Sequence, residues 1–164
     1  MTEARRGIVP PPPGGRTWES LMYEALEEAR AAEAAGEVPV GALVVSGHGV
    51  VLSRAGNAVE RRNDPTAHAE LLALREACRV SGNYRLEGCV LVVTLEPCLM
   101  CAGSLAHARL AGLVYGAADA RAGAVVSCVD GLDMPFLNHR VWHMGGVEAK
   151  SCAKLLCDFF ERRR

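Results

Sequence analysis

The stretch CVLVVTLEPCLMC (residues 89–101) decides the fold of this chain. Its first part, CVLVVT (89–94), is a nearly unbroken apolar run, which is typical of a β-strand covered on both faces. A proline follows at position 97, and proline is favoured at the start of a helix because it needs no N–H partner there. A buried strand that runs directly into a helix predicts a sheet with helices packed against it.

The other elements are predicted outward from this strand. Thr17 is the expected N-cap of a first helix, which carries apolar residues at helical spacing and ends at Gly36. The runs VPVGALVVS and VVLSRA predict a hairpin around GHG. Further helices are expected over 67–80, from Pro97 onward and over 148–163, and further strands over 113–116 and 141–146. This order predicts a three-layer α/β/α domain with a mixed five-stranded sheet.

Length and composition favour one domain. The chain has 164 residues, half of them hydrophobic, which is enough to bury a single core. Residues 1–16 contain a proline run and two adjacent glycines, so we expect a disordered or extended tail before a domain over 17–164. Because no apolar run approaches the roughly 20 residues of a membrane span and no secretory signal is evident, we expect a cytoplasmic protein.

Cysteine content and charge narrow the chemistry. The chain has 7 cysteines, an odd number without a framework spacing, which disfavours a disulfide scaffold and favours metal binding by any cysteine pair. The net charge of −1 gives no general attraction to nucleic acid. An RNA partner would therefore require locally arranged basic residues.

Cys98 and Cys101 form a C-x-x-C immediately after Pro97. Residues three apart lie on one face of a helix, so both sulfurs can bind one metal ion in its first turn. The helix N-terminus favours the thiolate form that zinc requires. Two buried thiols and a redox pair remain alternative interpretations of this motif alone.

His68 and Glu70 lie two positions apart at the start of another predicted helix. Such positions point in nearly opposite directions, so we do not expect both to bind one metal ion. If the two helix N-termini converge, His68, Cys98 and Cys101 supply three zinc ligands and leave the fourth position open, as in catalytic sites. Glu70 is then the expected general base, and the site holds one zinc ion per chain.

The joint pattern H-x-E and P-C-x-x-C is typical of zinc-dependent nucleobase deaminases. From about Trp18 onward the chain resembles the bacterial tRNA-specific adenosine deaminases, through NDPTAHAE (63–70), NYRL (83–86), VTLEPCLMCAG (93–103), LNHRV (137–141) and LLCDFFERRR (155–164). The resemblance implies a cytidine-deaminase-like fold and a homodimer. It also implies conversion of the wobble adenosine of a tRNA anticodon to inosine, with Glu70 moving protons to N1 and to the leaving ammonia.

The resemblance further implies which residues contact the substrate. They lie in three regions of the chain: Asn57 and Ala69 near the zinc ligands, Asp119, Asn138 and His139 in later loops, and Phe159, Phe160 and Arg163 in the last helix. Asn57 could instead be a turn-forming residue, and either phenylalanine could belong to the core. Alanine substitutions at 162–164 are expected to weaken RNA binding without much change in thermal stability.

Three functions remain open from the sequence. The first is RNA editing at one adenosine of an anticodon stem-loop. The second is deamination of a free base or nucleoside, such as guanine, cytosine or cytidine, because the metal motif would look the same. The third is a catalytically silent zinc protein, which Glu70 disfavours because a structural zinc site needs no base.

Overall fold

The structure is a computed structural model that describes residues 9–163. Its five strands form one mixed sheet in the order β2-β1-β3-β4-β5. β1 is antiparallel to both of its neighbours, whereas β3, β4 and β5 are parallel. The predicted mixed five-stranded sheet is therefore confirmed. The strands are β1 (Gly41–Val45), β2 (Val51–Gly56), β3 (Val90–Leu95), β4 (Gly112–Ala117) and β5 (Trp142–Met144).

The helices cover both faces of this sheet. α1 and α5 pack on one face, and α3 and α4 pack on the other, each pair over its own apolar core. This arrangement confirms the three-layer α/β/α prediction. The helices are α1 (Trp18–Ala34), α2 (Val59–Arg62), α3 (Ala69–Ser81), α4 (Leu99–His107) and α5 (Ala149–Glu161).

β3 lies at the centre of the sheet and is covered on both faces. Val90 and Val92 belong to the core beneath α1 and α5, whereas Leu91 and Val93 belong to the core beneath α3 and α4. Burial of each such side chain contributes about 1.5–3 kcal/mol. The strand thus joins the two cores, which explains why four consecutive residues, 90–93, are apolar rather than alternate ones.

Two helix boundaries differ from the sequence prediction. α4 begins at Leu99 rather than at Pro97, and Cys98 occupies its N-cap position in extended backbone conformation. α3 begins at Ala69, with His68 at the N-cap position. In both cases the metal-ligand candidate occupies the last extended residue before the helix, so its side chain projects from the helix end.

The four-residue helix α2 lies in a loop for which no helix was predicted. The carboxylate of Glu37 accepts hydrogen bonds from the backbone N–H groups of Glu60 and Arg61, at 3.2 and 2.7 Å. The first N–H groups of any helix have no partner within that helix. The Glu37 carboxylate therefore caps α2 from a distant part of the chain. The polar composition of the loop gave no local signal for this helix.

Part of the predicted N-terminal tail lies outside the described residues, namely 1–8. Within the described part, Pro13–Gly15 form a short 3-10 helix. A Cβ placed on Gly14 would lie 2.7 Å from the His48 carbonyl oxygen, so this segment closely approaches the hairpin turn. Within residues 9–163, no helix combines the length and the apolar character that crossing a membrane requires.

Candidate active site

The candidate site lies where α3 and α4 begin. His68 is the N-cap residue of α3, Cys98 is the N-cap residue of α4, and Cys101 lies in the first turn of α4. The site adjoins the carboxyl end of β3, where Leu95 pairs with Ala117 at the end of β4. Ligand crevices of open α/β sheets lie outside these strand ends.

The three predicted ligand atoms form one compact cluster. Nδ1 of His68 lies 3.6 Å from Sγ of Cys98 and 3.6 Å from Sγ of Cys101, and all three atoms lie within 4.8 Å of one another. With Zn–S of about 2.3 Å and Zn–N of about 2.0–2.1 Å, a tetrahedral ion requires an S···N separation of about 3.6 Å. The cluster therefore fits a single zinc ion bound through Nδ1 of His68.

The two sulfurs of this cluster shift each other's pKa. Hydrogen bonds from Cys101 and then His68 lower the pKa of Cys98 to about 4, whereas the hydrogen bond with Cys98 and burial raise the pKa of Cys101. The two shifts have opposite directions because the two sulfurs interact directly with each other. The N-termini of α3 and α4 favour negative charge at this point, and a bound zinc ion would require both sulfurs as thiolates.

Glu70 lies beside this cluster but contributes no atom to it. It is the second residue of α3 and is only 4% exposed. Burial raises the pKa of its carboxyl group. The carboxyl group also interacts with the thiol of Cys101. A buried carboxyl group next to a metal site can hold and transfer a proton during a reaction.

A cavity of about 290 Å³ opens onto the cluster, and His68, Glu70 and Cys98 form part of its wall. Its size is at the small end of the range for ligand pockets. Two further residues expected from the resemblance also line it, Asn57 and Asp119. Asn57 is 8% exposed, and its backbone N–H donates to the Val40 carbonyl at 2.9 Å. The side chain of Ala69, the remaining residue expected near the zinc ligands, is completely buried.

A second and larger groove, of about 920 Å³, shares part of its wall with this cavity. Asp119 and Ala122 line both, and the groove continues to Phe160 and Arg163 at the end of α5. Phe160 is 49% exposed, whereas Phe159 is 5% exposed and belongs to the protein interior. Of the two phenylalanines, Phe160 therefore offers the ring surface on which a base could stack.

The arginines at the end of α5 have partners within the chain. Arg162 pairs with Glu33. Arg163 donates to the Gly36 carbonyl at 2.6 Å, and its guanidinium group lies 4.4 Å from the centre of the Phe159 ring. Because of these contacts, we now expect alanine at both positions to lower stability, which differs from the expectation drawn from the sequence. Arg164, the third residue of the run, lies outside the described residues.

Asn138 and His139 lie away from the cavity. Nε2 of His139 donates to the Leu110 carbonyl at 2.6 Å, and Arg109 donates to the Asn138 carbonyl at 3.5 Å. Leu110 precedes β4, whereas the cavity lies beyond the opposite end of that strand. Within one chain, Asn138 and His139 are therefore separated from the metal cluster by the length of β4.

Two buried glutamates were not predicted as site residues. Glu37 and Glu96 are 1% and 2% exposed, and both line the cavity. Burial alone would raise the pKa of Glu96, but hydrogen bonds from the Ser127 side chain and from backbone N–H groups lower it to about 2. In the sequence both residues resemble ordinary surface acids, because their hydrogen-bond donors come from segments 23 or more positions away.

Comparisons with known proteins agree with this site. The family described as cytidine and deoxycytidylate deaminase zinc-binding region matches residues 16–117. A tRNA-specific adenosine deaminase of Aquifex aeolicus is 48% identical over 147 residues, which span 89% of this chain and 95% of that protein. A tRNA-specific adenosine deaminase of Haemophilus influenzae is 44% identical over 146 residues, spanning 89% of this chain and 84% of that protein.

A similar solved structure comes from studies of A-to-I editing by tRNA:A34 deaminases at the wobble position of transfer RNA. It has a TM-score of 0.81 and 43% sequence identity, and the match covers 84% of this chain and 99% of that chain. The likeness therefore extends over most of this chain and nearly all of the solved one.

Proposed function

The chain belongs to the tRNA-specific adenosine deaminases of the cytidine and deoxycytidylate deaminase family, and from this membership we propose its reaction. The reaction is hydrolysis of adenosine to inosine and ammonia at the wobble position of a tRNA anticodon. One observation carries the proposal: His68 and Cys98 of the metal-ligand cluster line the same cavity as the buried Glu70. We further propose that the protein is cytoplasmic, where tRNA is modified.

Different residues at the cavity are proposed to bind the metal ion and to transfer protons. His68, Cys98 and Cys101 would hold the zinc ion, which when bound supplies Lewis-acid activation of water at neutral pH. Glu70 accepts the two protons of the attacking water in turn and delivers one to N1 of the adenine and the other to the departing ammonia. The water oxygen forms the new bond to C6, the C6–N bond breaks, and no redox change occurs.

Asn57 and Asp119 are proposed to orient the target nucleotide. The side-chain amide of Asn57 offers both a donor and an acceptor to a purine base that has been flipped into the cavity. Asp119 lies at the boundary with the larger groove, which supports its proposed contact with a ribose hydroxyl. We assign Ala69 a contact through its backbone only, because its side chain is buried.

The larger groove is proposed to hold nucleotides next to the target. Phe160 provides an exposed ring for base stacking, and Arg163 provides local positive charge in a chain of net charge −1. The expected contacts of Asn138 and His139 would then be made to RNA outside the cavity. Single-stranded loops suit such a surface, because their bases can be splayed into separate pockets.

A homodimer is also proposed, with α4 at the interface. Leu99 and Met100 are 61% and 38% exposed in the first turn of α4, next to the metal cluster. A Cβ placed on Gly103 would meet nothing within 4 Å, so this face of the helix is open. Covering these apolar side chains would stabilise a dimer. Sedimentation equilibrium of the zinc-loaded protein gives the oligomeric state directly.

The substrate is tested by incubating the zinc-loaded protein in parallel with four compounds. These are an anticodon stem-loop with adenosine at the wobble position, free adenosine, free guanine and cytidine, with ammonia and the deaminated products measured. We expect rapid inosine formation in the stem-loop alone. Faster deamination of guanine or cytidine than of the stem-loop would replace this proposal with a small-molecule deaminase.

The role of Glu70 is tested by Glu70→Gln, which keeps the size of the side chain. We expect zinc content and stem-loop affinity to be retained and the deamination rate to fall about 100- to 10,000-fold, because general acid–base catalysis is lost. Glu76→Gln is the matched control, because Glu76 lies on the same helix in an exposed ion pair with Arg79. A Glu70→Gln variant that edits at the parent rate would refute the assigned role.

A further inference from the structure

Glu96 is a buried carboxylate with no role in the reaction described above. It immediately follows β3 and precedes Pro97 and the metal-ligand candidate Cys98. Only 2% of its surface is exposed. Burying a charged group is costly unless hydrogen bonds replace the lost water, so the partners of this carboxylate indicate what it does.

Glu96 accepts five hydrogen bonds from one later segment, residues 119–127. Oε1 accepts from the backbone N–H groups of Val125, Val126 and Ser127, at 3.2, 2.8 and 2.9 Å. Oε2 accepts from the backbone N–H of Asp119 at 3.0 Å and from the Ser127 hydroxyl. The carboxylate therefore holds the two ends of this segment together.

The segment packs closely against the carboxylate of Glu96. A Cβ placed on Gly123 would lie 2.5 Å from both Cδ and Oε2 of Glu96, so the backbone of the segment passes directly over the carboxylate. The backbone N–H of Ala124 also donates to the Pro97 carbonyl at 2.8 Å. The segment is thus fixed to the same short stretch that carries Cys98.

The other side of this segment forms part of the wall between the active-site cavity and the larger groove, together with Val38 and Leu95. Asp119 and Ala122 line both spaces. The carboxylate of Asp119 is itself held by the backbone N–H groups of Arg121 and Ala122, at 2.9 and 3.2 Å. A displacement of the segment would therefore move Asp119 and change the shape of both spaces together.

We propose that Glu96 is a positioning residue that fixes the 119–127 segment as this wall and thereby determines binding of the RNA substrate. The inference rests on the proposed RNA-editing function. Only a carboxylate suits this position, because its five donors require an acceptor on both oxygens. A glutamine amide has one oxygen and one NH₂ group. Whichever way it is oriented, the NH₂ group would face N–H donors, either that of Asp119 or those of Val125 to Ser127.

The test uses full-length Glu96→Gln loaded with zinc. We expect the KM for an anticodon stem-loop to rise about 10-fold or more, because hydrogen bonds to a charged group are lost, while kcat changes little. Zinc content should remain at the parent value. Hydrogen exchange measured by mass spectrometry should accelerate over residues 119–127, whereas α3 and β1 should keep the parent rate.

Two further variants complete the test. Ser127→Ala removes one donor to Oε2 at an exposed position, so we expect folded protein with a smaller rise in KM. If Glu96→Gln does not fold, the KM of Ser127→Ala tests the proposed role of Glu96 instead. Glu76→Gln, the same chemical change at an exposed ion pair, should leave KM and exchange unchanged.

The outcomes separate the two proposals. A parent protein that does not edit the stem-loop refutes the proposed function and the inference with it. A parent that edits, with parent-like KM and exchange in Glu96→Gln and Ser127→Ala, refutes the inference alone. A fall in kcat with unchanged KM would also refute it, because a wall that binds RNA acts on substrate affinity.

Discussion

Replacing Arg163 with alanine is expected to destabilise the protein more than replacing its neighbour Arg162. Arg163 donates a hydrogen bond to the Gly36 carbonyl at 2.6 Å, and a hydrogen bond of this kind contributes about 0.5–1.5 kcal/mol. Its guanidinium group lies 4.4 Å from the Phe159 ring centre, and a partly exposed contact of this kind contributes about 0.5–1 kcal/mol. The two contributions together are about 1–2.5 kcal/mol.

Arg162 makes one surface ion pair, with Glu33, in which the arginine side chain is 62% exposed. Such pairs contribute about 0–1 kcal/mol, so Arg162→Ala should have the smaller effect. Urea unfolding followed by tryptophan fluorescence measures both variants, because Trp18 and Trp142 pack edge to face across one core. The expected loss for Arg163→Ala corresponds to a fall in Tm of about 2–10 °C for a chain of this size.

Equal midpoints for Arg163→Ala and the parent protein would refute this reasoning, because the hydrogen bond and the ring contact would then contribute nothing. Equal losses in the two variants would also refute it. The result matters for RNA binding, since weaker binding by Arg163→Ala can reflect displacement of Phe159 and the Gly36 backbone as well as lost charge. Arg162→Ala changes charge at the same helix end without disturbing these contacts.

Two other predictions concern the metal and the groove. Cys98→Ala and Cys101→Ala should each abolish stoichiometric zinc in the purified protein, because each leaves only two of the three protein ligands. Zinc content is measured by plasma mass spectrometry. Cys128→Ala changes an exposed cysteine and is the control, which should retain one zinc per chain. Phe160→Ala should weaken stem-loop binding by about 1–3 kcal/mol with little change in stability, whereas Phe159→Ala should lower the free energy of unfolding by about 3–5 kcal/mol. Zinc retained undiminished in both cysteine variants, or parent-like RNA affinity in Phe160→Ala, would contradict these assignments.

The local parts of the fold and the site could be predicted from the sequence. The apolar run of β3 and the spacing of Cys98 and Cys101 are short-range patterns, and each has a direct physical reason in burial or metal geometry. His68 could be joined to them because it also begins a helix after a loop. The structure brings these three residues together as expected from two converging helix N-termini.

The parts that could not be predicted depend on contacts between distant segments. Glu37 and Glu96 act on backbone N–H groups 23 to 31 positions away, and no periodicity in the sequence indicates such contacts. The start of α4 was placed two residues too early because Pro97 fits a first turn in isolation. In the folded chain its carbonyl accepts from Ala124 instead, and the helix begins after Cys98.

The order of the strands also affects how the protein behaves when it is concentrated. The two edges of the sheet are β2 and β5, and unpaired strand edges are the usual starting point of aggregation. β5 has only three residues, and β2 carries the exposed Arg54, paired with Glu24. Short strands and charged side chains both discourage pairing with another sheet. Association between copies of this chain is therefore expected through helical faces rather than through continuation of the sheet into fibres.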